Sequence, residues 1–180
     1  MIVAIIPAKG QSGRLPNKNM SLINGRPMID YTIRDAQGSK LLEEIYVSTD
    51  HDAIASHASQ LGIPVIRRPE SLGGETPIIE VYRHAVQQLN NPDISIVVGL
   101  QPDHPDREVS IDEALSAFQR LKADCLVSVE ADGTKNGAHY IMARSLIDGT
   151  EAKDIVEIVD DCTNIHFAED LERAAARLAD

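Results

Sequence analysis

The first nineteen residues of the chain constrain its fold more than any other stretch. Residues 2–6 form an almost wholly apolar run, which suits one short strand covered on both faces. The loop after it opens at Pro7 and carries glycines and cations, at positions 9, 10, 13, 14 and 18. Open parallel α/β sheets bind their ligands at the carboxyl ends of strands. Because glycine lets backbone N–H groups surround an anion that fixed cations then neutralise, the loop predicts a polyphosphate site.

This loop matches neither of the common glycine-rich nucleotide motifs. Residues 7–19 contain no G-x-x-x-x-G-K-[ST], which argues against a P-loop, and no G-x-G-x-x-G, which argues against a Rossmann dinucleotide site. A solvated loop that happens to be basic is the alternative, because glycine and lysine are common in surface loops.

The charge of the chain limits its partners. A formal net charge of −11 argues against non-specific nucleic-acid binding, which depends on broad cationic surfaces. No apolar run approaches the length of a membrane span, so no membrane partner is expected. Cys125 and Cys162 lack metal-type spacing, which favours a reduced, cytoplasmic protein. The 180 residues suit one domain, residues 1–180.

Apolar runs alternate with helical periodicity along the rest of the chain. Strands are predicted at residues 45–48, 65–66, 94–100, 125–129 and 140–142. Helices are predicted to begin at Arg26–Pro27, Thr49–Asp50, Thr76–Pro77 and a capping box of Ser110 with Glu113, with one more helix closing the chain. Residues 155–159 fit either an edge strand or a helix. The alternation predicts an α/β fold with a parallel-dominated sheet.

Six short motifs carry a resemblance to a known family. Residues 8–19 resemble the A-R-G-G-S-K-x-L-P-x-K-N signature of sugar-acid cytidylyltransferases, the CMP-N-acylneuraminate (CMP-sialic acid) synthetases, which are related to CMP-Kdo synthetases. V-S-T-D at 47–50, R-P-x-x-L at 68–72, L-Q-P-x-x-P-x-R at 100–107, N-G-A-x-Y at 136–140 and E-D-L at 169–171 follow in the family's order. The resemblance implies a three-layer α/β/α, Rossmann-like nucleotidyltransferase (GT-A-like) fold.

The resemblance also implies a reaction and its residues. CMP is transferred from CTP to a sialic-acid-like sugar acid, pyrophosphate leaves, and the product serves surface glycan synthesis. The implied nucleotide-binding residues are Ala8, Lys9, Gly10, Ser12, Arg14, Lys18 and Asn19. Of these, Lys18 and Lys9 are expected to be catalytic; Lys9 replaces an arginine, keeping the charge but losing the bidentate fork. The implied substrate-binding residues are Arg68, Gln101 and Arg107.

Plainer interpretations compete at two of the motifs. Arg107 lies between Asp106 and Glu108, and such an arginine often forms a surface ion pair of little energetic value. Ser48 and Asp50 suit the end of a strand and the cap of a helix, which is the interpretation favoured for them.

The metal positions depart from the family pattern. The family's D-x-D before the last motif corresponds to Asn164 and His166 here. Asp103 lies where CMP-Kdo synthetases carry a metal-binding aspartate, so Asp103 and His166 are the candidate ligands for Mg²⁺, or for Mn²⁺, which tolerates imidazole better. The alternative is that Asp103 only begins a turn between two prolines. His104 is expected to be an exposed loop residue.

A second departure is the short connection between residues 129 and 136. The family inserts a projecting dimerisation element there, so a monomer or a weak homodimer is expected. These departures keep a rival open, a nucleotide-binding relative that has lost turnover. Another pyrimidine triphosphate or another acceptor is a third possibility.

Overall fold

A seven-stranded sheet is the middle layer of the computed structural model, which describes residues 1–11, 13–74 and 76–179. The elements found in these ranges are β1 (Ile2–Ala8), β2 (Leu22–Ile23), β3 (Arg26–Pro27), α1 (Met28–Gly38), β4 (Glu44–Thr49), α2 (Asp52–Gln60), β5 (Val65–Arg67), α3 (Ile78–Leu89), β6 (Ile96–Gly99), α4 (Ile111–Leu121), β7 (Cys125–Val129), β8 (Lys135–Ala143), α5 (Arg144–Ile147), β9 (Ile155–Val159) and α6 (Ala168–Arg177). None of the helices within these ranges has the length and apolarity needed to cross a bilayer.

The strand order across the sheet is β5-β4-β1-β6-β8-β7-β9. β1 runs parallel to β4 and β6, β4 is parallel to β5, and β7 is parallel to β9. Within the seven-stranded sheet as described, only β8 runs against its neighbours, β6 and β7. The prediction of an α/β fold with a mostly parallel sheet is confirmed.

β1 is covered on both faces, as its apolar run predicts. Ala4, Ile6 and Ala8 pack in a core with residues of α1, α2 and α4. Val3 and Ile5 point to the other face and pack with residues of α3 and α5. The side chains of a strand alternate between its faces, so an uninterrupted apolar strand becomes the centre of three layers.

Several element boundaries differ from the prediction. Pro27 precedes α1 as its N-cap and pairs with Leu22 in the small β2–β3 sheet, instead of starting the helix. The N-cap of α2 is His51, so Asp50 does not cap that helix. Residues 155–159 form the edge strand β9, which resolves the ambiguity. The capping box is confirmed: the Ser110 hydroxyl accepts a hydrogen bond from the Glu113 backbone N–H.

A tight hairpin joins β7 to β8. Glu130 N–H donates to the carbonyl of Thr134 at 2.8 Å, and Gly133 has φ +88° in the turn. The strands therefore connect directly, as the short sequence between residues 129 and 136 indicates.

Buried polar side chains fasten the end of β9 to the neighbouring elements. The Asp160 carboxylate accepts hydrogen bonds from the backbone N–H groups of Glu108 and Val109. The Asn136 side-chain amide donates to the backbone carbonyl of Asp160 at 2.7 Å. The His139 Nε2 lies 3.0 Å from the Val109 carbonyl and 3.1 Å from an Asp160 oxygen. Both partners are acceptors, so Nε2 carries the hydrogen.

The segment after β9 is held in the same way. Thr163 donates from its backbone N–H and its hydroxyl to the Asp106 carboxylate, at 2.8 and 2.7 Å. Ile165 N–H donates to the Asp103 carbonyl at 2.9 Å. These bonds place residues 163–166 beside the loop that follows β6.

The buried imidazole of His139 makes stability depend on pH. Burial lowers the pKa of His139, and the nearby Arg107 charge adds to this against the opposing effect of Asp160. The unfolded chain, with a histidine pKa of about 6.5, therefore takes up a proton before the folded chain does, and stability falls as pH decreases below that value. We expect the free energy of unfolding to decrease from pH 7.5 to 5.5, by at most about 1.4 kcal/mol per pH unit for this one group.

Urea unfolding of the wild type and of His139→Gln measures this contribution. Glutamine keeps a donor for the two acceptors but does not titrate, so the variant should show a smaller pH dependence. Equal slopes in the two proteins would contradict the assignment.

Candidate functional site

A cleft of about 460 Å³ opens at the carboxyl ends of the parallel strands. Its walls come from the loop after β1, the residues after β5 and β6, the first turns of α3 and the segment before α6. The lining residues are Pro7, Lys9, Gly13, Arg14, Lys18, Asn19, Arg68, Leu72, Gly73, Gly74, Thr76, Ile78, Val81, Gln101, Pro102, Asp103 and His166. Four of them are lysines or arginines, and Asp103 is the one carboxylate among the described lining residues, which suits a polyanion.

Lys18 lies at the centre of the contacts across the cleft. It begins a short 3₁₀ turn, Lys18–Met20, which brings its side chain toward the loop after β6. The Nζ atom donates to Asp103 Oδ2 and to the Ile165 carbonyl, both at 2.8 Å. The ammonium is thereby fixed between two segments that lie 85 and 147 residues away in sequence.

Asp103 is held as a carboxylate. Burial alone would raise the pKa of Asp103, but His104 and Lys18 beside it keep the pKa well below its usual value. The His104 Nδ1 lies 3.3 Å from Asp103 Oδ1. His104 itself is 1% exposed, so the expectation of an exposed loop histidine is wrong. The loop after β6 turns inward and packs the imidazole under the cleft.

The loop after β1 is closed by its own contacts. The Asn19 amide donates to the Lys9 carbonyl at 2.9 Å, which joins the two ends of the loop while both residues line the cleft. The Arg14 guanidinium lies over the Phe167 ring, 5.9 Å from its centroid, in the geometry of a cation–π contact. The loop and the segment before α6 therefore meet at the mouth of the cleft.

Arg68 is a buried cation on the opposite wall. Its backbone N–H donates to the Thr49 carbonyl, which fixes the residue at the end of β5. The side chain is 4% exposed, and its Nη2 lies 4.0 Å from Asp50 Oδ2. Burial lowers the pKa of Arg68, and Asp50 opposes that change. The Nε atom has no hydrogen-bond partner within the described residues.

Gln101 is positioned by the N-G-A motif. Gly137 has φ +84°, and a Cβ built on it would lie 2.3 Å from Gln101 Nε2. Asn136 fixes this part of β8, because its Oδ1 accepts from the Ser128 hydroxyl at 2.6 Å and from the Ala138 N–H at 3.1 Å. The glycine thus leaves room for the Gln101 side chain in the cleft.

Arg107 lies outside the cleft lining. Its side chain is 2% exposed and donates to the carbonyls of Gln101, His104 and Ala138 and to the Thr32 hydroxyl. Its Nη1 atom also lies 3.6 Å from Asp35 Oδ2, so the ion pair of Arg107 is with Asp35 and not with its sequence neighbours. The role of Arg107 in binding the substrate stays a prediction. The neighbouring acidic side chains, at positions 106 and 108, pair with Arg177 instead.

Two of the predicted nucleotide-binding residues, Ala8 and Gly10, are absent from the described lining of the cleft. Ala8 is fully buried as the last residue of β1. Gly10 donates its N–H to Asp50 at 2.8 Å and packs against His51. Both residues therefore support the loop after β1 through packing and backbone contacts. Ser12 lies outside the described residues.

The two candidate metal ligands face the same cleft. Asp103 Oδ1 is buried 3.3 Å from His104 Nδ1 and has no further hydrogen-bond partner within the described ranges, so a cation bound there would share the carboxylate with His104 and Lys18. Burial and then the Lys18 charge lower the pKa of His166, which favours the neutral imidazole that a metal ion binds. In the described part of the chain no group of three or more metal-ligating side chains occurs. The donors fit Mg²⁺ or Mn²⁺ shared with ligand phosphates, since Mg²⁺ commonly takes one or two carboxylates plus phosphate oxygens.

Sequence reasoning missed the wall formed by Gly73, Gly74, Thr76 and Ile78. Thr76 and Ile78 lie at the N-terminus of α3, where the helix dipole favours anions. The signal was present in the two adjacent glycines after the R-P-x-x-L motif, followed by a proline before an amphipathic run.

The sheet order and the cationic cleft place the chain among α/β proteins of the nucleotidyltransferase fold. The structure of CMP:2-keto-3-deoxy-manno-octonic acid synthetase complexed with CTP has a TM-score of 0.80 to this chain at 16% sequence identity. The match covers 99% of this chain and 98% of the other. The fold predicted from the motifs is confirmed.

The family follows from the sequence comparisons. The family model described as Cytidylyltransferase matches residues 3–175, and the chain belongs to this family. The N-acylneuraminate cytidylyltransferase of Escherichia coli O18:K1:H7 is 35% identical over 131 residues, which are 71% of this chain and 31% of that protein. The 8-amino-3,8-dideoxy-manno-octulosonate cytidylyltransferase of Shewanella baltica (strain OS155) is 36% identical over 121 residues, 66% of this chain and 48% of that protein. Each match spans less than half of the curated relative.

Gly137→Ala tests the packing of Gln101. Gly133 has a similar φ but open space around its Cβ position, so Gly133→Ala is the matched control. Positive φ should lower the stability of both variants by about 1 kcal/mol. Because the end of a glutamine side chain can rotate away, only Gly137→Ala should also displace Gln101.

The displacement is measured by the NMR resonances of the Gln101 side-chain amide. They should shift in Gly137→Ala and stay in place in Gly133→Ala. Unshifted resonances in both variants would show that Gly137 does not position Gln101.

Proposed function

We propose that this chain transfers the cytidylyl group of CTP to a sugar acid and releases pyrophosphate. The observation that carries the proposal is the convergence of Lys9, Arg14, Lys18 and Arg68 with Gln101 in one cleft at the carboxyl end of the sheet. The family membership supports cytidylyl transfer, and the names of the two relatives support a sugar acid as acceptor.

The proposed reaction exchanges one bond at phosphorus for another. A hydroxyl oxygen of the sugar acid attacks the α-phosphorus of CTP, the bond to the β-phosphate oxygen breaks, pyrophosphate leaves with that electron pair, and the hydroxyl proton is released. The protein contributes by positioning the reactants and by stabilising charge on the phosphoryl oxygens. Lys18 is the residue assigned to the α- and β-phosphates, with Lys9 and Arg14 as further cations around the triphosphate.

Lys18 suits this role because its position is already fixed. Its ammonium is oriented by Asp103 and by the Ile165 carbonyl. A preorganised donor requires little rearrangement as charge develops in the transition state. Asn19 keeps the loop closed through Lys9 and leaves its side-chain oxygen available for the nucleoside.

The sugar-acid end is assigned to Arg68 and Gln101. Arg68 is a buried guanidinium that faces the cleft, and its one ion pair to a described residue is long, so a carboxylate would complete its interactions. Gln101 offers an amide that can donate to and accept from sugar hydroxyls. A sialic-acid-like acceptor, a role in surface glycan synthesis, a cytoplasmic location and a monomer or weak homodimer stay predictions.

Asp103 and His166 are the residues proposed to hold a divalent cation, Mg²⁺ or Mn²⁺. Such an ion would neutralise triphosphate charge and polarise phosphoryl oxygens. Asp103 supplies an ionised carboxylate, whose Oδ1 lies 3.3 Å from His104 Nδ1 and whose Oδ2 accepts from Lys18.

The alternative function is a nucleotide-binding relative without turnover. The observation that favours it is the short supply of ligating oxygens, since Asp103 is the one carboxylate lining the cleft in the part of the chain that the structure describes. The replacement of the family's two aspartates by Asn164 and His166 also favours a relative without turnover.

Pyrophosphate release tests the proposed function. CTP, UTP, ATP and GTP would each be supplied with a panel of sugar acids, in Mg²⁺, in Mn²⁺ and after chelation with EDTA. We expect release with CTP, dependence on a sugar acid, and loss of release in EDTA. Selective stabilisation by CTP without release would favour the non-catalytic relative, because a bound ligand raises thermal stability by mass action. Equal stabilisation by purine and pyrimidine triphosphates would refute the cytidylyl assignment.

Lys18→Ala tests the main charge role. Removing a preorganised donor should lower kcat by about 10²-fold or more, equivalent to ~2.7 kcal/mol of transition-state stabilisation. Lys18→Arg should retain part of the activity, and Lys153→Ala is the control for loss of a lysine outside the cleft. Steady-state kinetics with CTP measure the effect. Wild-type kcat in Lys18→Ala would contradict the role.

A further inference from the structure

The Asp50 side chain connects two parts of the cleft without lining it. Asp50 directly follows β4, the strand between β1 and β5. Its Oδ1 accepts a hydrogen bond from the Gly10 N–H at 2.8 Å, and its Oδ2 lies 4.0 Å from Arg68 Nη2. The carboxylate therefore contacts the loop after β1 with one oxygen and faces the cation after β5 with the other.

The parallel register explains why one side chain reaches both neighbours. Ala8 pairs with Thr49, and Thr49 pairs with Arg67. The residues that leave the three strands thus start at the same height along the sheet. A short acidic side chain after the middle strand, β4, can therefore contact both the segment after β1 and the segment after β5.

The contact with Gly10 fixes the start of the loop. A Cβ on Gly10 would lie 2.5 Å from the His51 ring, so the backbone of Gly10 packs directly on the residue after Asp50. Because the Gly10 N–H is bonded to a carboxylate, that group anchors the loop. The neighbouring Lys9 side chain then extends into the cleft.

The contact with Arg68 compensates a buried charge. A guanidinium that is largely removed from water requires an anionic partner. Asp50 forms the one ion pair of Arg68 seen within residues 1–11, 13–74 and 76–179. Its length of 4.0 Å, together with the unpartnered Nε, leaves the guanidinium able to receive an anion in the cleft.

We infer that Asp50 is a positioning residue that sets the phosphate loop through Gly10 and the acceptor-binding guanidinium through Arg68. The inference rests on the proposed function for the nature of the two ligands. It assigns Asp50 a separate task with each oxygen, so the two tasks can be separated by substitution.

Two substitutions, Asp50→Asn and Asp50→Ala, distinguish the hydrogen bond to Gly10 from the negative charge beside Arg68. Asparagine keeps an oxygen that accepts from the Gly10 N–H but removes the negative charge beside Arg68, whereas alanine removes both. We expect Asp50→Asn to raise the KM for the sugar acid about tenfold, with the KM for CTP within about threefold of wild type. Asp50→Ala should raise both KM values about tenfold or more.

Asp52→Asn is the matched control. Asp52 is also near the start of α2 and pairs with an arginine, Arg67, but its side chain is 92% exposed. Both KM values should be unchanged in this variant. If Asp50→Asn raises the two KM values equally, or raises neither, the separate roles of the two oxygens are refuted.

The exchange rate of the Gly10 amide hydrogen gives a readout that needs no substrate. It should increase in Asp50→Ala and stay near wild type in Asp50→Asn and Asp52→Asn. An unchanged rate in a folded Asp50→Ala variant would overturn the anchor. If Asp50→Ala does not fold, the KM split in Asp50→Asn decides. Wild-type protein without turnover, combined with faster exchange in Asp50→Ala, would reject the proposed function while supporting the loop anchor.

Discussion

Parallel pairing of β1 with β4 and β6 is the constraint on which the cleft depends. Parallel strands end at one edge of the sheet, so the loops that follow them converge there. The loop after β1, Arg68 after β5 and Gln101 after β6 meet because the parallel strands β5, β4, β1 and β6 lie side by side in the sheet. The apolar faces of β1, buried under helices on both sides, hold this arrangement with no polar side chain in the strand.

A second set of bonds adds the last third of the chain to this frame. Hydrogen bonds at Asp160, Thr163 and Ile165 bind the segment after β9 to the loop after β6. The Ile165 carbonyl then accepts from Lys18. The cationic loop is therefore oriented by backbone that belongs to a distant part of the sequence. The polar groups involved are buried and satisfied together, which makes their arrangement specific.

The sequence predicted what depends on local pattern. The apolar run of β1, the capping box of Ser110 and the cluster of cations in the first loop each follow from neighbouring residues. The surroundings of Asp50 and Arg107 could not be predicted in this way, because the partners of these two side chains are far away in sequence. Asp50 binds a group 40 residues earlier, and Arg107 donates to Thr32, 75 residues earlier. Periodicity and motif spacing carry no information about such pairings. From the sequence alone, the Arg107 side chain could have been a buried donor of several hydrogen bonds or one member of a surface ion pair.

The bond between Lys18 and the Ile165 carbonyl has a consequence for the order in which the protein is made. Its two ends are separated by 147 residues, so it forms only after residue 165 has been synthesised. Contacts of such long range close large loops and are entropically costly to form early in folding. The strands β1, β4 and β5 can pair sooner, because they lie within the first 67 residues. Three of the seven strands in the described sheet can thus pair before residue 165 is made, and the position of Lys18 is fixed only after that residue has been added.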